Sequence, residues 1–221
     1  MEFDFSPLID NWRFFAGGLG ITVALSIISA VSSILLGLVI ALLRLYGPRW
    51  LAKLLIFYVD TMRAIPLLVV LVWIYFVFPI VAGITFPPFW AALVALTLHI
   101  AAYASEVIRA GIESIRPGQM RAGLALGLSR AQVLRKVILP QATIRMLPAF
   151  GSILTIAIKD TAIATVIAVP ELMHKAETVA GQSYRGVEVY TAVMIVYFLI
   201  LFPLTRGIDR LYQRVAHLGR S

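Results

Sequence analysis

The feature that decides the fold class is an uncharged stretch at residues 19–43, which reads LGITVALSIISAVSSILLGLVIALL. An α-helix needs about 20 consecutive apolar residues to cross the hydrocarbon core of a bilayer, and this stretch exceeds that length. Of the 221 residues in the chain, 61% are hydrophobic and only 14% are charged. A soluble domain is about half apolar and about a quarter charged. A core of this size cannot bury the excess of apolar side chains, so much of it has to face lipid.

Further apolar stretches follow the first one, and prolines lie near their ends, where helix breakers are expected. They occupy residues 54–78, 89–108, 146–168 and 189–204. The last stretch is the shortest and needs residues on either side of it to complete a span. The sequence therefore predicts an all-α integral membrane protein, in which about five transmembrane helices form a single domain over residues 1–221.

The distribution of lysine and arginine predicts the orientation of these helices, because cytoplasmic loops are enriched in positive charge. Basic residues gather between the first and second spans, between the third and fourth spans, and after the fifth span. They are Arg44, Arg49, Lys53, Arg109, Arg116, Arg121, Arg130, Arg135, Lys136, Arg145, Arg206, Arg210, Arg214 and Arg220. The opposite side carries only Arg13, Lys175 and Arg185. The N-terminus is therefore expected outside and the C-terminus in the cytoplasm.

Composition argues against several other function classes. The net charge of +8 could indicate nucleic-acid binding, but most basic residues lie in short loops between spans, where they set orientation. The chain has no cysteine and only three scattered histidines, so neither a disulfide framework nor a metal site is expected. It also lacks the G-x-x-x-x-G-K-[ST] pattern that holds nucleotide phosphates. We therefore expect this chain to bind no cofactor of its own.

The loop between the third and fourth spans is long enough to contain helices. It reads RAGIESIRPGQMRAGLALGLSRAQVLRKVILPQATIR over residues 109–145. The residues expected to break it into separate helices are Pro117, Gly118 and Gly127. Ser129 begins the last of these helices. It is spaced with Gln132 as in a capping box, in which each side chain accepts a hydrogen bond from the backbone N–H of the other residue.

The helix that begins after Ser129 is predicted to be amphipathic. Val133, Val137 and Ile138 share one face, the charged residues lie largely elsewhere, and Pro140 lies past the end of the helix. Two interpretations fit such a helix on the cytoplasmic surface. Its arginines can anchor it among lipid headgroups, or it can dock onto a cytoplasmic protein partner.

This segment resembles the EAA loop of ABC-importer permeases, in which Glu-Ala-Ala is followed by three residues, glycine, nine residues and Ile-x-Leu-Pro. The residues that match in type and spacing are Gly127, Val137, Leu139 and Pro140. Arg121-Ala122-Gly123 stands in the place of Glu-Ala-Ala, so a salt bridge that depends on that acid is not expected. The resemblance implies that residues 117–141 form a loop that couples the chain to an ATPase. Its candidate residues are Gln119, Arg121, Ala122, Gly123, Gly127, Ser129, Leu139 and Pro140.

Other segments resemble the polar-amino-acid subfamily of these permeases. They are Arg63-Ala64-Ile65-Pro66-Leu67-Leu68, Ala102-Tyr103 with Glu106 and Arg109, Gly118-Gln119, Leu139-Pro140-Gln141-Ala142, Lys159-Asp160-Thr161 and Val169-Pro170-Glu171-Leu172. The resemblance implies the MetI-like fold of type I importers in a bacterial inner membrane. It also implies a second permease subunit, identical or homologous, and a dimer of cytoplasmic ATPase subunits that bind ATP and Mg²⁺. An extracytoplasmic binding protein would deliver the amino acid.

Ionisable residues inside spans are costly in a bilayer and are therefore functional candidates. With their polar neighbours, the candidates for a substrate pathway are Arg63, His99, Tyr103, Lys159 and Asp160. Structural interpretations stand beside this one. Asp60 and Arg63 lie three residues apart on one helix face and can neutralise each other. Lys159 and Asp160 can form ion pairs with other helices.

Two further residues have open roles. His99 lies near the middle of its span, four residues before Tyr103, and can be either an ordinary buried histidine or a contact for substrate. The resemblance implies that a polar side chain at this position faces the translocation path. Glu106 lies near the cytoplasmic end of the same span and is expected to pack there or to form an ion pair.

The substrate is the least defined feature. No unpaired carboxylate at mid-membrane is suited to a cationic substrate, and residues 68–75, LVVLVWIY, resemble glutamate and aspartate permeases. The sequence therefore favours acidic amino acids or their amides. The alternatives are an ATP-independent secondary transporter and a membrane scaffold. A secondary transporter would be expected to show an internal repeat with paired broken helices, and the sequence has no such duplicated pattern.

Overall fold

The computed structural model describes residues 4–215, and all regular elements in this range are helical. Residues 1–3 and 216–221, which include Arg220, lie outside the described part. The helices are α1 (Ser6–Asp10), α2 (Trp12–Tyr46), α3 (Arg49–Ala64), α4 (Leu67–Val72), α5 (Phe78–Ala82), α6 (Pro88–Glu113), α7 (Pro117–Ala125), α8 (Arg130–Val133), α9 (Leu139–Asp160), α10 (Leu172–Ser183) and α11 (Gly186–Val215). Wide π-helical turns join α4 to α5 and α8 to α9, and a 3₁₀-helix follows α9.

Within the described residues, four helical runs are long and apolar enough to cross a membrane by themselves. They are Trp12–Tyr46, Pro88–Glu113, Arg130–Ile167 and Gly186–Arg214. A fifth span is formed when Arg49–Ala64 and Leu67–Ala82 are counted together. The predicted all-α membrane fold with about five spans is confirmed, and the helices extend beyond the predicted apolar stretches.

The second span, predicted at residues 54–78, is not one continuous helix, because its two halves meet at a bend of 108°. The cause is local. A residue before proline is sterically excluded from the α region. Ile65 accordingly adopts φ −94° and ψ 133°, and Pro66 is also extended. In the sequence Pro66 lies inside a single apolar stretch, whereas in the structure this proline divides the span.

Helices α2 and α6 pack against each other through small side chains, as membrane helices commonly do. A Cβ atom added to Gly37 would lie only 2.7 Å from the Cβ of Ala104. The hydroxyl of Ser33 donates to the carbonyl oxygen of Thr97 at 3.2 Å. Since residues 33 and 37 meet residues 97 and 104 in the same order, the two helices run parallel.

A buried cluster joins the predicted cytoplasmic ends of these helices to the segment that follows α6. We call it the Ile112 cluster, and its members are Ala41, Ile108, Ile112, Ile115, Val133, Ile138, Ala142 and Met146. It brings together residues of α2, α6, α8 and α9. The loop between the third and fourth spans is therefore packed against the bundle rather than suspended beneath it.

At the opposite end of α2, a buried carboxylate holds α10. Glu171 is fully buried and caps α10 by accepting hydrogen bonds from the backbone N–H groups of Met173 at 2.9 Å and His174 at 2.7 Å. The hydroxyl of Thr22 in α2 donates to the same carboxylate at 3.3 Å. Burial raises the pKa of Glu171, and the three hydrogen bonds oppose that rise because they stabilise the charged form. This contact ties α10 to α2.

The predicted orientation can be tested directly, because the chain has no native cysteine. Gln182, in the last turn of α10, and Leu126, just after α7, are both exposed. In intact cells, a membrane-impermeant maleimide should label Gln182→Cys and should label Leu126→Cys only after permeabilisation. The reverse pattern would show that the orientation deduced from the positive charges is wrong.

Candidate functional site

One face of α6 carries two of the predicted pathway residues. Ala92, Leu96, His99 and Tyr103 follow one another at spacings of four, three and four residues, which places them on a single helix face. The rings of His99 and Tyr103 are 5.4 Å apart between centroids. His99 is only 8% exposed, and its Nδ1 has no hydrogen-bond partner among the described residues. A buried polar atom without a partner has capacity to bind another group.

The bend in the second span lies beside this face. The guanidinium of Arg63, in the last turn of α3, lies 5.7 Å from the centre of the Tyr103 ring. The hydroxyl of Tyr103 donates to the backbone carbonyl of Arg63 at 3.5 Å. The structure therefore places Arg63, Tyr103 and His99 in one group.

The expected neutralisation of Arg63 by Asp60 is wrong. In the described part of the chain no ion pair joins these two residues, and both are exposed on the surface of this single chain. Residues three apart on a helix are neighbours, but each side chain can still extend away from the other. Sequence spacing alone does not decide between these arrangements.

Lys159 and Asp160 are the last two residues of α9, and their side chains lie in different environments. Asp160 is half-buried and lines a narrow cleft whose other walls include Leu67 and Leu71 of α4 and Leu96 of α6. Lys159 is exposed. The ion pairs expected between these residues and other helices are not formed within residues 4–215. Asp160 thus approaches the α6 face one turn before His99, whereas Lys159 does not join the group.

A polar stripe on α9 was not identified from the sequence. Ser152, Thr155 and Lys159 recur at spacings of three and four residues, and none of them is buried. The hydroxyls of Ser152 and Thr155 donate to backbone carbonyls one turn earlier in α9, whereas an exposed charge such as that of Lys159 is costly in lipid, so the Lys159 end of this face is expected to meet protein or water. The spacing was visible in the sequence, but Ser and Thr are too weakly polar to stand out in a hydropathy profile.

The loop between the third and fourth spans has the predicted local structure. Gly127 adopts φ +78°, which favours glycine, and separates α7 from the next helix. The backbone N–H of Ser129 donates to Gln132 Oε1 at 2.8 Å, and the N–H of Gln132 donates to Ser129 Oγ at 3.3 Å. The predicted capping box is therefore confirmed. Ser129 is exposed, as are Arg121 and Ala122.

Gly123 has a packing role that explains one departure from the EAA pattern. A Cβ atom at this position would lie 2.6 Å from Cγ2 of Val133, which is fully buried. The close approach of α7 to α8 leaves no room for the alanine that the pattern has here. Gln119 and Leu139 are half-buried, so they also belong to the packed part of the loop.

The predicted end of the amphipathic helix before Pro140 is wrong. A continuous helical run extends over Arg130–Ile167, and Pro140 lies within the first two residues of α9. The π-helical turn at Leu134–Ile138 immediately precedes it. Because proline has no backbone N–H to donate, this widened turn lets the helix continue without the missing hydrogen bond.

An exposed leucine was not identified from the sequence. Leu126 follows α7 and is 81% exposed, although it belongs to the part of the molecule that is predicted to face the cytoplasm. A large apolar side chain projecting into water commonly marks a contact with another protein. In the sequence it was indistinguishable from the neighbouring leucines.

Together, the helices long enough to span a membrane, the bend beside a polar face and the packed loop between the third and fourth spans are features of a multi-pass membrane protein. The sequence matches the family of binding-protein-dependent transport system inner membrane components over residues 33–217. The chain belongs to this family, whose members are permease subunits of ABC transporters of the inner membrane. The ATPase of such a transporter resides in a separate subunit.

Two related permeases align with nearly the whole chain. The arginine transport system permease protein ArtQ of Bacillus subtilis (strain 168) is 36% identical over 208 residues, which are 93% of this chain and 94% of the relative. The glutamine transport system permease protein GlnP of Escherichia coli (strain K12) is 33% identical over 217 residues, 97% of this chain and 99% of that protein.

A solved structure shares the fold and part of the sequence. A chain from the crystal structure of an amino acid ABC transporter with histidines superimposes with a TM-score of 0.89 at 32% identity. The match covers 97% of this chain and 100% of the other. The MetI-like membrane fold implied by the sequence is therefore confirmed.

Whether the exposed Leu126 docks onto the ATPase subunit can be tested by copurification of the two proteins. Leu126→Asp should reduce recovery of the ATPase at least about tenfold, because burying a leucine contributes about 1.5–3 kcal/mol. Gln182→Asp, at the other end of the molecule, is the matched control and should leave recovery unchanged. Equal recovery with both variants would contradict a docking role for Leu126.

Proposed function

We propose that this chain and a second permease subunit, identical or homologous, form the membrane pathway of an importer for a polar amino acid. Two cytoplasmic ATPase subunits, which bind ATP and Mg²⁺, would drive the cycle, and an extracytoplasmic binding protein would deliver the substrate. The observation that carries the proposal is the polar group on the α6 face, where Tyr103 contacts both His99 and Arg63, and His99 lies one turn from Leu96 in the wall of the Asp160 cleft. This chain itself contributes no cofactor chemistry.

The polar group suits the two charged ends of a free amino acid. An α-carboxylate is attracted by a guanidinium such as that of Arg63, and an α-ammonium is attracted by a carboxylate such as that of Asp160. The buried Nδ1 of His99 has no hydrogen-bond partner among the described residues, and it would bond a polar side chain of the substrate once movement of the pathway uncovers it. Tyr103, which is 37% exposed, can provide a further hydroxyl.

Charge balance favours an amide among the acidic amino acids and amides. The charges that the structure brings to the α6 face are one cation, Arg63, and one anion, Asp160. These charges sum to zero, and a field without net charge suits a zwitterion whose side chain is uncharged. The similarity to GlnP supports glutamine, whereas the similarity to ArtQ keeps arginine among the substrates to be tested.

The coupling loop provides the connection to ATP. The exposed residues Arg121, Ala122 and Leu126 would seat on an ATPase subunit, and closure of the ATPase pair on ATP would displace residues 117–141. Because Gly123 and Val133 pack tightly, α7 and α8 would move as one body. Such rigid-body movement can switch the pathway between outward and inward access when the two states make different contacts.

Reconstitution tests the proposal. The chain, its ATPase and its binding protein are placed in liposomes, and uptake of labelled glutamine, glutamate, aspartate, asparagine and arginine is measured with and without ATP. We expect uptake of glutamine that requires ATP. Uptake that persists without ATP would support a secondary transporter, and a stable complex that carries no member of the panel would favour a scaffold. Uptake of arginine alone would contradict the charge argument.

His99→Ala tests the contact with substrate. The variant should change the ratio of uptake rates among the amino acids of the panel by about threefold to tenfold, which corresponds to the loss of one hydrogen bond. ATP hydrolysis stimulated by the binding protein should survive, because His99 lies far along α6 from the coupling loop. Unchanged rates for all substrates would identify His99 as an ordinary buried residue.

A further inference from the structure

A ladder of ion pairs joins α2 to α6 near their predicted cytoplasmic ends. Arg44 Nη1 of α2 donates to Glu106 Oε1 of α6 in a close ion pair. The other carboxylate oxygen of Glu106 accepts from Arg109 Nη2 at 2.8 Å, and Arg109 Nη1 donates to Glu113 Oε2 at 2.6 Å. Only the first of these contacts crosses between helices, so Glu106 is the member of the ladder that holds α2.

This contact is shielded from water. The side chain of Arg44 is 10% exposed and that of Glu106 is 22% exposed, whereas Glu113 is 50% exposed. Removing one partner of a shielded pair leaves the other charge without compensation, which is far more costly than removing an exposed pair. The crossing between α2 and α6 is therefore stiff at this point.

The same end of α6 is fastened to α9 by a hydrogen bond, and it packs against the coupling loop through the Ile112 cluster. The guanidinium of Arg145, which follows the loop, donates to the carbonyl oxygen of Ser114 at 2.7 Å. The Ile112 cluster packs beneath this contact and includes Ala41 of α2 and Val133 of α8. A displacement of the loop therefore acts on α6 directly and reaches α2 through the cluster and through Glu106.

Helix α2 extends from this contact to the other side of the molecule. It contains 35 residues and is thus about 50 Å long at 1.5 Å per residue. In the N-terminal third of α2, the hydroxyl of Thr22 contacts Glu171, which caps α10. One rigid helix therefore connects the coupling loop with α10, which lies on the predicted extracytoplasmic side.

We propose that Glu106 is a positioning residue for ATP-coupled transport, and that it fixes α2 to α6 so that α2 transmits movement between the coupling loop and α10. Through this connection, arrival of the loaded binding protein on one side would stimulate ATP hydrolysis on the other. The inference rests on the proposed importer function. It adds to that function a defined path for the signal across the membrane.

Paired substitutions on α6 separate this role from a general loss of charge. Glu106→Gln removes the contact that crosses to α2. Glu113→Gln, the matched control, removes a contact of the same Arg109 that stays within α6. In the reconstituted complex, stimulation of ATP hydrolysis by the loaded binding protein should fall at least about fivefold for Glu106→Gln and less than about twofold for Glu113→Gln. Equal stimulation in the two variants would overturn the inference.

Arg44→Gln examines the same contact from α2 and leaves the Glu106–Arg109 pair in place, so it serves if Glu106→Gln does not assemble. It should lower stimulation at least about fivefold as well. Unstimulated hydrolysis and recovery of the assembled complex are measured for each variant. A fall in stimulation at unchanged assembly is the signature of positioning, since a purely structural role would lower recovery instead.

Covalent rescue provides the sharpest test, because the cysteine-free chain allows specific cross-linking. In Arg44→Cys/Glu106→Cys, stimulation should be lost and should return when a short bis-methanethiosulfonate joins the two cysteines. Loss that persists after complete cross-linking would overturn the role of a fixed connection. ATP-dependent uptake by the wild-type complex tests the proposed function separately, so failure of one proposal is not mistaken for failure of the other.

Discussion

Hydrocarbon contains no water that could hydrogen-bond a free backbone group, and this constraint governs where the chain can depart from a helix. The bend at Ile65 and Pro66 releases carbonyl oxygens from α3, and one side of it contacts α6. The hydroxyl of Tyr103 reaches the carbonyl of Arg63, which is one of the groups released. Irregular backbone is tolerated at membrane depth only where protein or water meets it. The bend is thus a place where another helix of the protein satisfies the released backbone.

The tight packing of α2 against α6 makes the rest of the bundle possible. Small residues such as Gly37 and Ala104 bring the two backbones close, and dispersion contacts rather than the hydrophobic effect hold membrane helices together. The stiffness of the contact between α2 and α6 affects how a movement of the loop is transmitted. A loosely packed pair of helices would absorb a displacement of the cytoplasmic loop, whereas a closely packed pair with a shielded ion pair at one end passes it on.

Local signals in the sequence predicted local structure well. Hydropathy located the spans, because the length of an apolar run is all that crossing requires. The capping box at Ser129 and the turn at Gly127 were predictable because each depends on a few adjacent residues. Hydropathy gives the length of an apolar run but not the direction of the helix axis within it. The bend at Pro66 was therefore not predicted, although the proline lies inside the predicted span. The continuation of the helix through Pro140 was missed because it requires a widened turn, which no residue type signals.

The candidate site was only partly predictable, and the reason is physical. The sequence identified the costly residues in the spans, but whether they pair depends on which way each side chain extends. The structure leaves Asp60, Arg63 and Lys159 exposed on the surface of one chain, and none of them forms an ion pair within residues 4–215. Charges left facing hydrocarbon would oppose insertion by several kcal/mol. A single copy surrounded by lipid therefore does not satisfy these residues. A second permease subunit, with a polar pathway between the two, would give them protein or water to face, which is the physical argument for a paired importer.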